Sequence, residues 1–268
     1  MLGTLRQAFD NHRNERADEL FEIATILDRA GLTANTQPIR QAAAQCRSAV
    51  KTAGNSEPDA GREYWGYEIS ELRIRLEDQR HFRPRSAVMR GVDGILSVKV
   101  QEYVPQTVEE IGAGFNLLRQ VSADFYTDVV QVVQGVEEPL RAAWHLDTHL
   151  FPNSVTHAVH PRFHFQVGGE RLDEVDGRIR GVFMPESPRL PVAPLDGVLA
   201  VDFVLSHYCG DWWQTLRFLE PQYGRLRVNP LKRYWHPYYL ALADGIACLH
   251  LVPTGGEAAG LVPSICIS

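Results

Sequence analysis

Through the middle of this chain apolar residues recur at every second position, a period that suits strands and excludes most helical folds. Leu72, Ile74 and Leu76 alternate with Arg73, Arg75 and Glu77, which places the apolar three on one face of a strand. Further strands are predicted from Leu96 to Val104 and around 123–134, 140–150 and 158–168, with one short helix over 107–119. Strands that follow one another without regular crossover helices argue for an antiparallel sheet and against a doubly wound one.

Helical spacing flanks this region on both sides. Leu20, Ile23, Ala24, Leu27 and Ala30 recur as one helical face, and Gly31 suits its stop. Pro38 fits the first turn of a second helix running through Ala42, Ala43, Cys46 and Val50. Residues 54–62, Gly-Asn-Ser-Glu-Pro-Asp-Ala-Gly-Arg, read as a linker. Beyond a proline-rich stretch over 181–196, Asp196 is predicted to cap a helix through Val198, Val201 and Leu205, and Asp211 to cap another through Trp212, Leu216 and Leu219. Pro237 suits the opening of a last helix, Tyr238 to Leu249. The expected architecture is α+β: an N-terminal helical segment (1–60), a core domain (61–250) whose central antiparallel sheet carries the C-terminal helices on one face, and a tail (251–268).

Composition narrows the class. A hydrophobic fraction of 44% and a charged fraction of 22% are those of a soluble globular protein. A net charge of −6 argues against non-specific coating of nucleic acid and leaves room for a local basic groove. Cys46, Cys209, Cys248 and Cys266 form no C-x-x-C pair and sit among apolar or small residues. They read as reduced core thiols of a cytoplasmic protein. The N-terminus lacks a basic flank followed by an apolar run, and no segment approaches the roughly 18 apolar residues of a membrane span. An intracellular protein without a membrane partner is expected.

Chemistry is concentrated in two of the predicted strands. Residues 144–150 read Trp-His-Leu-Asp-Thr-His-Leu and residues 160–167 read His-Pro-Arg-Phe-His-Phe-Gln-Val. Alternation puts His145, Asp147 and His149 on one face of the first strand, and His160, Arg162, His164 and Gln166 on one face of the second. If the two strands pair as a symmetric hairpin, opposed positions sum to 309: His149 faces His160, Asp147 faces Arg162 and His145 faces His164. A slip of two residues preserves this shared face, and a slip of one destroys it. Three chemistries fit such a face. One imidazole could act as base and another as acid while Arg162 holds a phosphodiester oxyanion. Alternatively, histidines from both strands and Asp147 could bind a divalent transition metal; one strand cannot do this alone, since i and i+4 lie about 13 Å apart. The third is anion recognition without turnover. The same residues also suit the wet side of an ordinary sheet, where an Asp–Arg cross-strand pair is common.

Two basic zones are candidate partner surfaces. Arg73, Arg75, Arg80, Arg83, Arg85 and Arg90 cluster with His81 against Glu77 and Asp78 only, a local positive field able to track phosphates or dock an acidic partner. Arg225, Arg227, Lys232 and Arg233 interleave with Tyr223, Tyr234, Trp235, Tyr238 and Tyr239. Such rings can stack on unpaired bases, although packing against a sheet is their commoner use.

Several enzyme classes are excluded by absent motifs. The chain has no G-x-G-x-x-G, G-K-[ST], H-E-x-x-H, G-x-S-x-G or EF-hand loop. Over residues 160–213 a His-x-x-x-His strand ends in Val167-Gly168-Gly169. Arg189-Leu190-Pro191, an apolar helix to His207-Tyr208, and Trp212-Trp213 follow. This pattern, about a fifth of the chain, resembles uncharacterised bacterial proteins encoded near toxin or phage-defence modules. The resemblance implies a nucleic-acid-directed or defence-complex role and assigns no catalytic residue. On these residues alone the balance falls toward a binding or adaptor subunit of such a complex, with a protein partner or a second copy of itself and with nucleic acid as a further candidate. The alternative is a histidine-based phosphodiesterase or nuclease that uses either no cofactor or a divalent transition metal.

Overall fold

The computed structural model describes residues 2–76, 93–112, 117–133, 136–148, 163–168 and 190–249. Among these, seven strands form one sheet: β1 (Lys51–Thr52), β2 (Glu63–Arg75), β3 (Asp93–Tyr103), β4 (Leu118–Val133), β5 (Val136–Thr148), β6 (Phe163–Val167) and β7 (Leu190–Pro191). They lie in chain order, each antiparallel to its neighbour. Helices α1 (Leu2–Ala30) and α2 (Gln37–Cys46) precede the sheet, and α3 (Val108–Gly112) falls between β3 and β4. After the sheet come α4 (Gly197–Tyr208), α5 (Gly210–Leu219), α6 (Pro221–Pro230), a π turn (Leu231–Trp235) and α7 (His236–Leu249). The fold is α+β.

Local chemistry explains most boundaries. Gly31 ends α1 at φ +66°, a conformation that suits glycine. Asp196 caps α4, its carboxylate accepting the Leu199 N–H at 2.9 Å. Three expectations need correction. The second helix stops at Cys46, short of Val50, because the Arg47 N–H folds back onto the Ala44 and Gln45 carbonyls. The helix expected over 107–119 has ended by Leu118, which opens β4 and is buried by the sheet; among the described residues Val108–Gly112 and Leu117 are helical. Asp211 lies within the first turn of α5 and does not cap it; Cys209 occupies the cap position. The last helix is present as expected, at His236–Leu249, and continues a run that begins at Pro221. Pro230 has no N–H to donate, so the α pattern lapses there and resumes through a π turn.

Two bulges explain why one sheet face stays apolar along its length. In β2 the inward residues are Trp65, Tyr67 and Ile69, then Leu72 and Ile74, a change of parity. Ser70 and Glu71 together oppose Ser97, so the pairing passes from Ile69↔Val98 to Leu72↔Leu96. Glu71 takes φ +52° to make the jump, and its N–H donates to the Ser97 hydroxyl at 3.1 Å. In β4 the pairing shifts between Gln101 and Glu102, leaving Arg119 as the extra residue while Leu118 and Val121 are both buried. Arg119 instead donates to Asp59 at 2.7 Å and to Glu57.

The inner face carries the core. Trp65, Ile69, Leu96, Val98, Phe125, Trp144 and Leu146 pack with Leu20, Ile23 and Leu27 of α1, Val198, Val201 and Leu205 of α4, and Tyr223 and Leu226 of α6. The N-terminal helices and the sheet thus bury a single common cluster. Gly197 marks a close approach: a Cβ there would lie 3.0 Å from both Ile69 Cδ1 and Leu20 Cδ2. Phe125 stacks between Trp144 and Tyr208 at centroid distances of 5.4 and 4.7 Å.

A charged network crosses this apolar layer. His12 Nε2 and Glu102 Oε2 are 2.7 Å apart, and the Tyr234 hydroxyl donates to the other Glu102 oxygen. Arg233 donates to Glu19 at 2.8 Å and stands 3.7 Å from Asp196, while Arg16 reaches Glu19 at 3.5 Å. Burial pushes the Glu19 carboxyl up to about 7 and the Asp196 carboxyl up to about 6, against the lowering pull of Arg16 on both. Burial opposes ionisation of Glu102, but His12, Arg16 and the Tyr234 hydroxyl together outweigh it and hold that carboxyl below its ordinary value.

Two outcomes are expected from this fold. Replacing Glu71 by glycine should raise unfolding free energy by about 0.5–1 kcal/mol in chemical denaturation, because the left-handed conformation costs an L residue and not glycine. Glu19 and Asp196 bind their protons more tightly folded than unfolded, so their contribution is complete below about pH 4 and drains as pH rises through 6 and 7. The thermal midpoint should therefore climb by several degrees between pH 8 and pH 5. Glu19→Gln combined with Asp196→Asn should flatten that slope; an unchanged slope in the double variant would contradict the assignment.

Candidate functional site

The outer face of the sheet is polar, and its chemistry converges where β5 meets β6. On β5, Trp144, Leu146 and Thr148 turn inward, which leaves His145 and Asp147 half-buried on the other side. On β6, Phe163 turns inward and His164 outward. Asp147 pairs with His164, and His145 pairs with Gln166. Opposed positions sum to 311, so the expected facing of His145 with His164 is corrected by two residues. The shared face survives the slip, as the pleat requires. Packing on the inner side sets the register: Leu146 lies opposite Phe165, and Trp144 and Phe165 both meet Phe203 of α4, at 5.0 and 5.9 Å. Gly168 then leaves the strand at φ +98°, its N–H on the Ala143 carbonyl at 2.8 Å.

Three of the sequence candidates are brought together. His145, Asp147 and His164 each offer one ligand atom, and these atoms all lie within 4.8 Å of one another. The two imidazoles meet edge-on, with centroids 5.9 Å apart at 82°. His164 is 1% exposed, whereas His145 and Asp147 are reachable from solvent. Such a trio could hold a metal ion, or could pass a proton between a carboxylate-oriented imidazole and a neighbour. His149, His160 and Arg162 lie outside the described residues.

One residue of this face was not singled out from sequence. Asp124 of β4 pairs with His145 from the side away from β6, which puts a second carboxylate in the same cross-strand row. Its signal was present in Gln120, Ser122 and Asp124, polar at every second position of β4. Lys99 lies opposite Ser122 on the same outer face, with Glu68 beside it.

The basic zones fare differently. Arg73 and Arg75 are exposed on the outer side of β2, and Arg80, Arg83 and Arg85 lie outside the described residues. In the C-terminal zone, Arg227 reaches Asp202 at 2.6 Å and Arg233 reaches Glu19, so both are committed to internal pairs. Arg225 and Lys232 remain exposed. The interleaved rings chiefly pack: Tyr223 and Tyr234 are buried, Trp235 donates to the Pro194 carbonyl at 2.8 Å, and Tyr238 meets Phe163.

No protein-family model, curated protein or solved structure matches the chain. Among the described residues, no helix is long and apolar enough to cross a membrane.

The difference in exposure across the trio is directly measurable. Diethyl pyrocarbonate should modify His145 in the folded protein and leave His164 unmodified until denaturant is added, as read by peptide mass mapping. Equal rates at the two positions would contradict the burial of His164.

Proposed function

We propose that the outer face of β5 and β6 is the reactive centre of a hydrolase that cleaves phosphodiester bonds. One observation carries the reading: His145, Asp147 and His164, from two strands, bring their functional atoms within 4.8 Å of one another on a face the core does not use. Imidazole beside carboxylate is the side-chain chemistry hydrolysis asks for, since it supplies proton transfer near neutral pH or metal ligation. Arg73, Arg75 and Lys99 lie on the same face, on β2 and β3, with Glu68 beside Lys99, and could steer an anionic substrate from outside the centre. Buried free thiols at Cys46 and Cys209 suit a reducing, cytoplasmic setting.

A second reading, a non-catalytic subunit that docks on a protein partner, draws on the helical side. Trp212, Phe218, Tyr239 and Leu240 of α5 and α7 are exposed there, Phe218 by 73%.

Turnover separates the two. Purified protein should cleave at least one of single-stranded DNA, duplex DNA, RNA and bis(p-nitrophenyl) phosphate. His145→Ala and Asp147→Asn should each lower the rate by about 100-fold or more without moving the thermal midpoint. Wild-type protein inert on all four substrates would remove the hydrolase reading and leave the docking subunit.

A further inference from the structure

We infer that His145, Asp147 and His164 form a mononuclear binding site for a divalent transition-metal ion. This deepens the hydrolase reading by naming its cofactor. The cofactor role rests on that reading; the binding itself does not.

Strand geometry is the first argument. His145 and Asp147 are i and i+2 on β5, about 7 Å apart along the strand, and His164 stands directly across from Asp147. That triangle lets three side chains rise from the sheet and meet above it. Their donor atoms already lie within 4.8 Å of one another. A bound first-row ion sits about 2.0–2.2 Å from nitrogen and carboxylate donors, which requires donors roughly 3–4 Å apart. Small side-chain rotations close that difference, and the backbone need not move.

The donor set selects the ion. Two imidazole nitrogens and one carboxylate oxygen favour zinc, iron or manganese and disfavour calcium and magnesium, which take oxygen ligands. The buried thiols belong to the inner core, where burial pushes Cys46 up to about 12, far from a thiolate ligand. All three donors come from the described residues of β5 and β6, and the half-exposure of His145 and Asp147 leaves that side of the site reachable from solvent. Three protein ligands with open positions are the mark of a catalytic metal site, whereas structural sites are closed by four.

The surroundings fit as well. Asp147 supplies one negative charge toward a dication, and Asp124 brings a second into the His145 row. Ligating histidines commonly donate their other ring N–H to such a carboxylate, which fixes the tautomer and strengthens the ligand. Asp124, across from His145 on β4, is the carboxylate placed to take that positioning role once the ion is bound. Burial of His164 anchors one ligand, and the half-exposed pair leaves the ion an entry route.

The test is metal binding, read without any substrate. Chelator-treated protein would be titrated with Zn²⁺ against a chromophoric competitor, with Mg²⁺ in parallel and Co²⁺ as a spectroscopic probe of nitrogen ligation. The expected result is one saturable Zn²⁺ equivalent, visible Co²⁺ absorption, no competition by Mg²⁺ and a thermal midpoint raised by Zn²⁺. His145→Ala and Asp147→Ala should abolish the Zn²⁺ equivalent, the Co²⁺ absorption and the thermal shift, and Asp124→Asn should weaken Zn²⁺ binding by about 10-fold. His207→Ala and His236→Ala, exposed histidines on other elements, should leave binding unchanged. Because His145 and Asp147 are half-exposed, their variants should keep the apo thermal midpoint, which shows that they fold. Absence of saturable binding in the wild type, or binding retained in both variants, would overturn the site. Binding without turnover would sink the hydrolase reading alone, and turnover in excess chelator would sink the cofactor role alone.

Discussion

Glu102 is a carboxylate set in the apolar face of a sheet, and much of the molecule is arranged to keep it there. An isolated buried charge of this kind costs several kcal/mol, so partners are obligatory. They come from distant parts of the chain: His12 from the first helix and Tyr234 from the π turn. Arg16, Glu19, Arg233 and Asp196 extend the network to the start of α4. Hydrophobic burial alone would tolerate many arrangements of helices on a sheet. A charge that must meet a histidine and a tyrosine selects among them, which ties both ends of the fold to β3. The π turn carries both Arg233 and Tyr234, the residues through which the C-terminal helices join this network.

One face of the sheet is committed to that core, and the polar side chains of β4, β5 and β6 gather on the other. The two bulges protect this division of labour. Without the Ser70–Glu71 bulge, the second half of β2 would turn Leu72 and Ile74 outward. Without the extra Arg119 in β4, Leu118 would oppose Val121 in facing. The same pleat that hides Trp144, Leu146 and Phe163 therefore presents His145, Asp147 and His164. The candidate centre is a by-product of core packing in its placement, though not in its composition.

Legibility from sequence followed the range of the interaction responsible. Alternation is local, so the strands, their faces and the antiparallel α+β class could be read from residues such as Leu72, Ile74, Trp144 and Leu146. Caps are local too, hence Asp196 and Gly31. Asp211 misled because a residue one position inside a helix start has the same composition signal as a cap. The register of β5 on β6 was set by Phe165 meeting Leu146 and Phe203, a contact no spacing rule contains. Arg233 looked like a surface cation because its partner, Glu19, lies 214 residues away. His12, Arg16 and Glu19 line up with Leu20, Ile23 and Leu27 on the buried side of α1, and polar residues on an apolar stripe were the available clue.

The amino-acid order by itself determined that His145, Asp147 and His164 would share a sheet face, because parity along a strand is intrinsic to the backbone and survives any even slip. Tertiary structure decided which residues meet. It chose Asp147 for His164, drew Asp124 to His145 from a third strand, and buried one ring of the pair. Those choices depend on free energies of packing summed over the opposite face, where Leu146 lies across from Phe165 and Trp144 and Phe165 meet Phe203 of α4. Parity can be counted along a chain; complementarity of shape between elements exists only once they have met.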